Sequence, residues 1–368
     1  MTAAPTPHPA SGDALEPGAY PTFRLPAFPR FQPALRRPDI TALEAHCRAW
    51  LDSQLGPAHT DSSRAFADFL DHRTTLWNLL TYPTTDTERT KVICHWIDVL
   101  FSIDDLFAHA SPARQQRLGL HQLNAVFDDE PPVLQAPYPR VLARLATGLR
   151  AEMPPGLWRR FAHDMREFAA ACHTERNWHR DGMAVDLAVY ENSRIKSVGE
   201  CCFPLLEYGL GIDLTGHPAA EELRRLNHLV ARHWIGVNDI FSYRKELYSG
   251  DTVNEITLAL ADNGGDLQAA VDRIAATVLR AEDEFCARAE RLLHTLVEPD
   301  LSVGRYVEAL RWMIAGNLEW SYITSRYNGH GHIWDGRPAA SVILTPHRTF
   351  YRPAPAGEGD PTGQGQPS

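Results

Sequence analysis

An all-α fold is what the sequence predicts: one helical domain over residues 36–350, closed around a deep apolar cavity. Two observations lead there. Apolar residues recur at the three-and-four spacing of a helix through seven long stretches, and no run alternates apolar with polar residues as a half-buried strand does. Clusters of Pro and Gly separate the stretches, at PTTD, DDEPP, MPPG, TGHP and NGGD. About ten helices result, by helical period, with no internal repeat.

In chain order, residues 1–35 are rich in Pro and Ala without an apolar period, and are expected to be a disordered tail. ALEAHCRAWLDSQL opens the helical domain. KVICHWIDVLFSIDDLF is apolar on most sides until Asp104 and Asp105. RVLARLATGLRAEM and LWRRFAHDMREFAAACH follow. In YENSRIKSVGE, Gly199 after Arg194 predicts a local break, which frees backbone carbonyls. EELRRLNHLVARHWIGVNDIFSYRKEL, LQAAVDRIAATVLRAEDEFCARAERLLHTLV and RYVEALRWMIAGNLEWSYITSRY complete the bundle. Residues 351–368, rich in Pro and Gly, are expected to be a second disordered tail. Several helices are apolar over much of their surface, as helices around a core or cavity are.

Hydrophobic content of 44% and charged content of 22% are those of an ordinary globular protein. The net charge of −10 disfavours a nucleic-acid partner. No apolar run approaches the roughly 20 residues of a membrane span, and the N-terminus has no secretory leader, so the expected location is the cytoplasm. Six cysteines without a CxxC pattern are expected as buried reduced thiols.

The stretch VNDIFSYRKEL places Asn238, Ser242 and Glu246 at four-residue intervals. Each step advances about 400° round a helix, so the three fall within an arc of about 80°. An amide, a hydroxyl and a carboxylate are oxygen ligands suited to one hard cation. A bare N-x3-S-x3-E is otherwise an ordinary polar face. Here the preceding LVARHWIGV is apolar, and polar groups in such a setting need partners. Lys245 stands beside the trio as a cation for phosphate.

A second acidic feature is FSIDDLFAH. Adjacent carboxylates at Asp104 and Asp105 in an apolar setting repel unless a cation neutralises them. Asp98 lies about 10 Å deeper on nearly the same side, and is expected to be hydrogen-bonded within the helix, not a ligand. Arg194, Arg326 and Tyr327 offer phosphate donors. His330 and His332, in NGHGHIW, read as a polar turn.

Together these motifs resemble the bacterial-type class I terpene synthases (terpene cyclases). NDIFSYRKE is similar to the family's ND-x2-S-x2-KE metal motif, FSIDDLF to its aspartate-rich motif with a preceding aromatic, and YENSR to the segment carrying its diphosphate-sensing arginine. WSYITSRY is similar to its C-terminal Arg-Tyr pair, with Trp320 six residues before Arg326, and GDTVNE to the segment after the metal motif. Their order spans residues 101–327. One departure stands out. Where the family carries a further acid after the aspartates, this chain has Ala108 and His109, so Asp104 and Asp105 serve alone or His109 adds a hydrogen bond.

The resemblance implies a class I terpenoid synthase bundle, with metal at Asp104, Asp105, Asn238, Ser242 and Glu246. It implies Mg2+, three ions in all, with Mn2+ as a substitute. Arg194, Lys245, Arg326 and Tyr327 would hold the diphosphate of a linear isoprenoid. Phe101, Trp320, Trp77 and Trp234 would line the cavity, since aromatic faces stabilise cations, although each could be plain core. Ser197, Val198 and Gly199 would follow the break, with one of the last two turning a carbonyl inward. The partner is an isoprenyl diphosphate, and a homodimer is compatible. The expected reaction converts farnesyl diphosphate to a sesquiterpene. The alternatives are a diterpene synthase using geranylgeranyl diphosphate, a chain-elongating prenyltransferase, and an inactive helical binder of isoprenoid diphosphates.

Overall fold

A computed structural model describes residues 20–31, 37–107, 110–128, 134–181, 183, 185–249, 253–296, 300–346 and 351–353. Its elements are strand β1 (Thr22–Arg24), then helices α1 (Ile40–Leu55), α2 (Ser63–Asp71), α3 (Thr74–Thr81), α4 (Thr87–Phe107), α5 (Pro112–Leu118), α6 (Pro137–Glu152), α7 (Pro155–Asp181) and α8 (Leu187–Arg194). A π turn at Ile195–Gly199 leads into α9 (Cys202–Leu210), α10 (Ala220–Ser249), α11 (Glu255–Asp262), α12 (Leu267–Thr295), α13 (Leu301–Ile323) and α14 (Ser325–Asn328). Strands β2 (Ala339–Ile343) and β3 (Tyr351–Pro353) follow.

Loop polar residues fix where helices begin. Asn254 accepts from the Ile256 amide at 2.8 Å, Asp266 from Ala269 at 3.0 Å, and Asp300 from Ser302 and Val303 at 2.8 and 3.2 Å. Each satisfies amides that a helix start leaves unpaired. α10 is the central column, with α12 on one side and α13 on another. That position explains why Val230–Val237 is buried all round. α13 also packs on α3 at very short range: a Cβ at Gly316 would overlap the Leu80 carbonyl. Only glycine permits this approach, and it brings Asn317 beside Trp77.

The described residues hold a sheet that periodicity does not announce. β1, β2 and β3 pair antiparallel in that order, with Phe23 opposite Val342. The expected tail of residues 1–35 is therefore corrected over residues 20–31. Phe23, Leu25, Phe28 and Phe31 are buried, with Phe23 edge-on to Tyr243 of α10 and Phe31 edge-on to Phe285 of α12. Apolar burial fixes this Pro-rich segment, and strands of three residues are too short to show a period. Tyr351–Pro353, expected within the C-terminal tail, is β3. The rest of both expected tails lies outside the described residues. No described helix is long and apolar enough to cross a membrane, and all six cysteines are free thiols.

Candidate active site

The C-terminal end of α4 meets α10 and α14 at one mouth. Arg326 Nη2 donates to Asp104 Oδ2 at 2.9 Å, and Arg326 Nη1 also pairs with Asp105. Lys245 Nζ donates to Asp105 Oδ1 at 3.1 Å, and His72 Nδ1 lies 3.0 Å from Asp105 Oδ2. Burial pushes the Asp105 carboxyl up, but Arg326, Lys245 and His72 outweigh it and hold the group well below the usual carboxylate range. Asp104 is the more open of the two, its side chain 53% exposed. Ala108 and His109 lie outside the described residues.

Across the mouth, Asn238 Oδ1 accepts from Arg194 Nη2 at 3.1 Å, and Asn238 Nδ2 donates to the Tyr327 hydroxyl at 2.5 Å. Glu246 Oε2 accepts from Asn254 Nδ2 at 2.7 Å. The Ser242 hydroxyl between them is 1% exposed and has no hydrogen-bond partner among the described residues. A buried unpaired hydroxyl, one turn from an amide oxygen and from a carboxylate, is a donor set that fits a hard cation. Among the described residues no three His, Cys, Asp or Glu side chains converge as an ion cage. The oxygen set therefore depends on the amide and the hydroxyl.

Behind the mouth is a chamber of about 100 Å³. Phe101, Trp77, Trp234 and Trp320 line it, together with Phe168, Ile97, Leu100, Cys201 and Cys202. The four predicted aromatics form a chain of contacts: Trp234–Trp77 at 5.3 Å, Trp77–Phe101 at 5.5 Å and Phe101–Trp320 at 5.7 Å. Ligand pockets commonly reach roughly 300–1,000 Å³, so admitting a substrate has to widen this one. The break after Arg194 is the π turn, closed by Glu200 N donating to Ile195 O at 3.2 Å. Ser197 and Val198 line the chamber, whereas Gly199 does not. A Cβ at Gly199 would stand 2.8 Å from Ala231 Cβ of α10.

Several supporting residues escape sequence reasoning. In the turn before α3, the carbonyls of Asp71, His72 and Arg73 accept from Ser325 Oγ, Thr324 Oγ1 and Trp320 Nε1 at 3.0, 2.7 and 2.8 Å. This ties the Arg326–Tyr327 segment to the turn that delivers His72. Arg73 itself has φ +58°, a strained value for a side-chain-bearing residue, and is held by Glu44 at 2.6 Å. Glu175 on α7 accepts from Ser197 at 2.7 Å and from Arg194 at 3.3 Å, which aims both. Arg244 donates from Nε and Nη2 to the Tyr327 carbonyl at 3.2 and 3.0 Å, so Tyr327 is fastened to α10 at both ends. None of these has a sequence motif, and Arg244 alone has a signal, its place inside the metal motif. As expected, Asp98 is a hydrogen-bonded helix residue, accepting from Thr75 at 2.5 Å and Asn78 at 3.1 Å, and burial pushes its pKa to about 7. His332 lies 2.9 Å from the Tyr322 carbonyl.

Comparison with known proteins gives the site a family. The model of terpene synthase family 2, C-terminal metal binding, matches residues 95–284. A sesquiterpene synthase, Agr3, of Cyclocybe aegerita is 32% identical over 301 residues, covering 76% of this chain and 81% of that protein. The alpha-muurolene synthase of Coprinopsis cinerea is 31% identical over 261 residues, 67% of this chain but only 60% of its own length. A bacterial relative, the 10-epi-cubebol synthase of Sorangium cellulosum, is 26% identical over 79% of this chain and 94% of its own. In fold, hedycaryol synthase matches at TM-score 0.65 and 24% identity, covering 81% of this chain and 98% of that one. The linalool/nerolidol synthase of Streptomyces clavuligerus matches at TM-score 0.68 and 18% identity, over 80% and 99%. The helical bundle, the oxygen-rich mouth and these matches agree: the chain belongs to the terpene synthase family, family 2.

Proposed function

We propose that this protein ionises and cyclises farnesyl diphosphate to a sesquiterpene with release of diphosphate, using Mg2+. The observation that supports the reading is that Asp104 and Asn238 line one aromatic chamber, while Lys245, next to Glu246 on α10, pairs with Asp105. Asp104 and Asp105 would hold ions on one side and Asn238, Ser242 and Glu246 on the other, three Mg2+ in all. The metal supplies Lewis-acid stabilisation of the departing diphosphate.

The chain's own residues do the rest. Arg194, Lys245, Arg326 and the Tyr327 hydroxyl donate to diphosphate oxygens, and such donors must serve the leaving group more than the intact ester. Before substrate arrives, Lys245 and Arg326 are spent on the aspartates and Arg194 on Glu175. Loading is therefore an exchange of ion-pair partners. Phe101, Trp77, Trp234 and Trp320 exclude bulk water and turn ring faces toward the cation. The names of the relatives favour the C15 substrate over the C20 one, since Agr3 is a sesquiterpene synthase. Incubation with the C10, C15, C20 and C25 diphosphates, with Mg2+ or with a chelator, tests it by mass spectrometry. Metal-dependent C15 product is expected. Binding without any hydrocarbon or alcohol product overturns the reading in favour of an inactive binder.

A further inference from the structure

The floor of the chamber holds a polar group that ionisation does not use. Asn317 on α13 is 8% exposed and lines the chamber with Trp77 and Trp234. The indole N–H of Trp77 donates to Asn317 Oδ1 at 2.9 Å. An indole nitrogen can only donate, so this contact settles which end of the amide is oxygen. Nδ2 therefore points away from Trp77, and among the described residues nothing accepts from it.

The other donors nearby are engaged. Trp234 Nε1 donates to the Met313 carbonyl, Trp320 Nε1 to the Arg73 carbonyl, and Ser197 Oγ to Glu175. Asn317 also stands about 9 Å deeper along α13 than its mouth end at Ile323, the end that leads to Arg326 and Tyr327. A diphosphate held at the mouth leaves only hydrocarbon at this depth. Hydrocarbon offers an N–H no acceptor, and a buried unpaired donor is costly. A water molecule is the smallest partner that satisfies it.

We propose that Asn317 holds one water at the chamber floor and that this water ends the reaction, so that a terpene alcohol is released. The inference rests on the carbocation chemistry proposed above. One water lone pair accepts the Nδ2–H and the other attacks the cationic carbon, forming a C–O bond. The resulting oxonium loses one proton, which leaves with the diphosphate anion. Isoprenyl diphosphate and water thus give alcohol and hydrogen diphosphate, with no change of oxidation state overall.

The test is turnover of the full-length protein with C15 diphosphate and Mg2+ in 18O-labelled water. An alcohol carrying one 18O is expected from the wild type. Asn317→Leu, similar in size but without a donor, should lower the ratio of alcohol to hydrocarbon about tenfold, as loss of one hydrogen bond predicts. Trp77→Phe, which removes the indole but keeps the amide, should still give labelled alcohol. Should Asn317→Leu not fold, wild-type label and a crystallographic water about 3 Å from Nδ2 decide. Wild-type product made only of hydrocarbon overturns the inference, as does an unchanged ratio in Asn317→Leu. No product from any chain length overturns the synthase reading itself, and the inference with it.

Discussion

The two sides of the mouth are built on opposite plans. On the α4 side, Asp105 is in contact with two cationic side chains, Arg326 and Lys245, and with His72, and Asp104 shares Arg326. On the α10 side, Asn238 and Glu246 are braced by Tyr327, Arg194 and Asn254, and among the described residues the Ser242 hydroxyl is left unpaired. One side is thus neutralised by the groups proposed to bind the diphosphate, while the other is aimed in advance. The difference teaches that an ion on α10 needs only to displace hydrogen bonds, whereas one at the aspartates must displace Arg326, Lys245 and His72. Arg326 and Lys245 are then released at the moment the diphosphate needs them.

The largest break should come from the preorganised side. Glu246→Gln removes the one charged oxygen of that set, and turnover should fall by roughly a hundredfold or more, about 2.7 kcal/mol of barrier. Near-normal initial rates in the variant would remove α10 from the mechanism. Next comes Arg326→Gln. Loss of charge-assisted hydrogen bonds of about 1.5–3 kcal/mol predicts a fall of about ten to a hundredfold, with the product mixture kept. Phe101→Ala should do the reverse, shifting products toward acyclic and monocyclic species because it withdraws about 1–2 kcal/mol of cation stabilisation. Rates and gas chromatograms that show the opposite pairing would mean that clamp and wall are exchanged.

Two smaller effects sharpen the contrast. Arg244→Gln loosens Tyr327 from α10 without touching an oxygen ligand. The Mg2+ concentration for half-maximal rate should rise about three- to tenfold, on the scale of one hydrogen bond, with products unchanged and Arg244→Lys partly restoring it. A metal titration showing no shift would leave Arg244 a packing residue. Last is a pH effect confined to the aspartate side. Asp105 is held well below its ordinary value, so its stabilising contribution is present above that value and is lost only as pH falls through the folded one. In Arg326→Gln that loss should begin at a higher pH, seen as an earlier fall of Tm on acidification from pH 6 to pH 3. Superimposable Tm–pH curves would show that Arg326 is not what holds Asp105 ionised.

The helix period explains what the sequence disclosed. Asn238, Ser242 and Glu246 share a face whatever surrounds them, and Asp104–Asp105 ends an apolar helix by composition alone. The mouth itself needed partners far apart in the chain, such as Arg326 with Asp104, 222 residues away. That pairing followed from resemblance, not from periodicity. The turn at Asp71–Arg73 stayed hidden because its work is done by main-chain carbonyls, which carry no residue type. Glu175 was unreadable because nothing distinguishes one acid on a charged helix from the next. The terminal sheet was masked by proline, whose presence suggests a loose segment even where four apolar side chains are anchored.

The π turn at Ile195–Gly199 has a consequence for length rather than identity. It spends about one residue more per turn than the α form, so it takes up an extra residue between α8 and α9 without turning one against the other. Arg194 before it, Ser197 and Val198 within it, and Cys201 and Cys202 after it all line the chamber. Removing one residue from the segment would restore the α repeat and leave the phase of α9 nearly unchanged. A deletion there is absorbed within the turn, and its effect falls on Ser197 and Val198 rather than on the whole following helix.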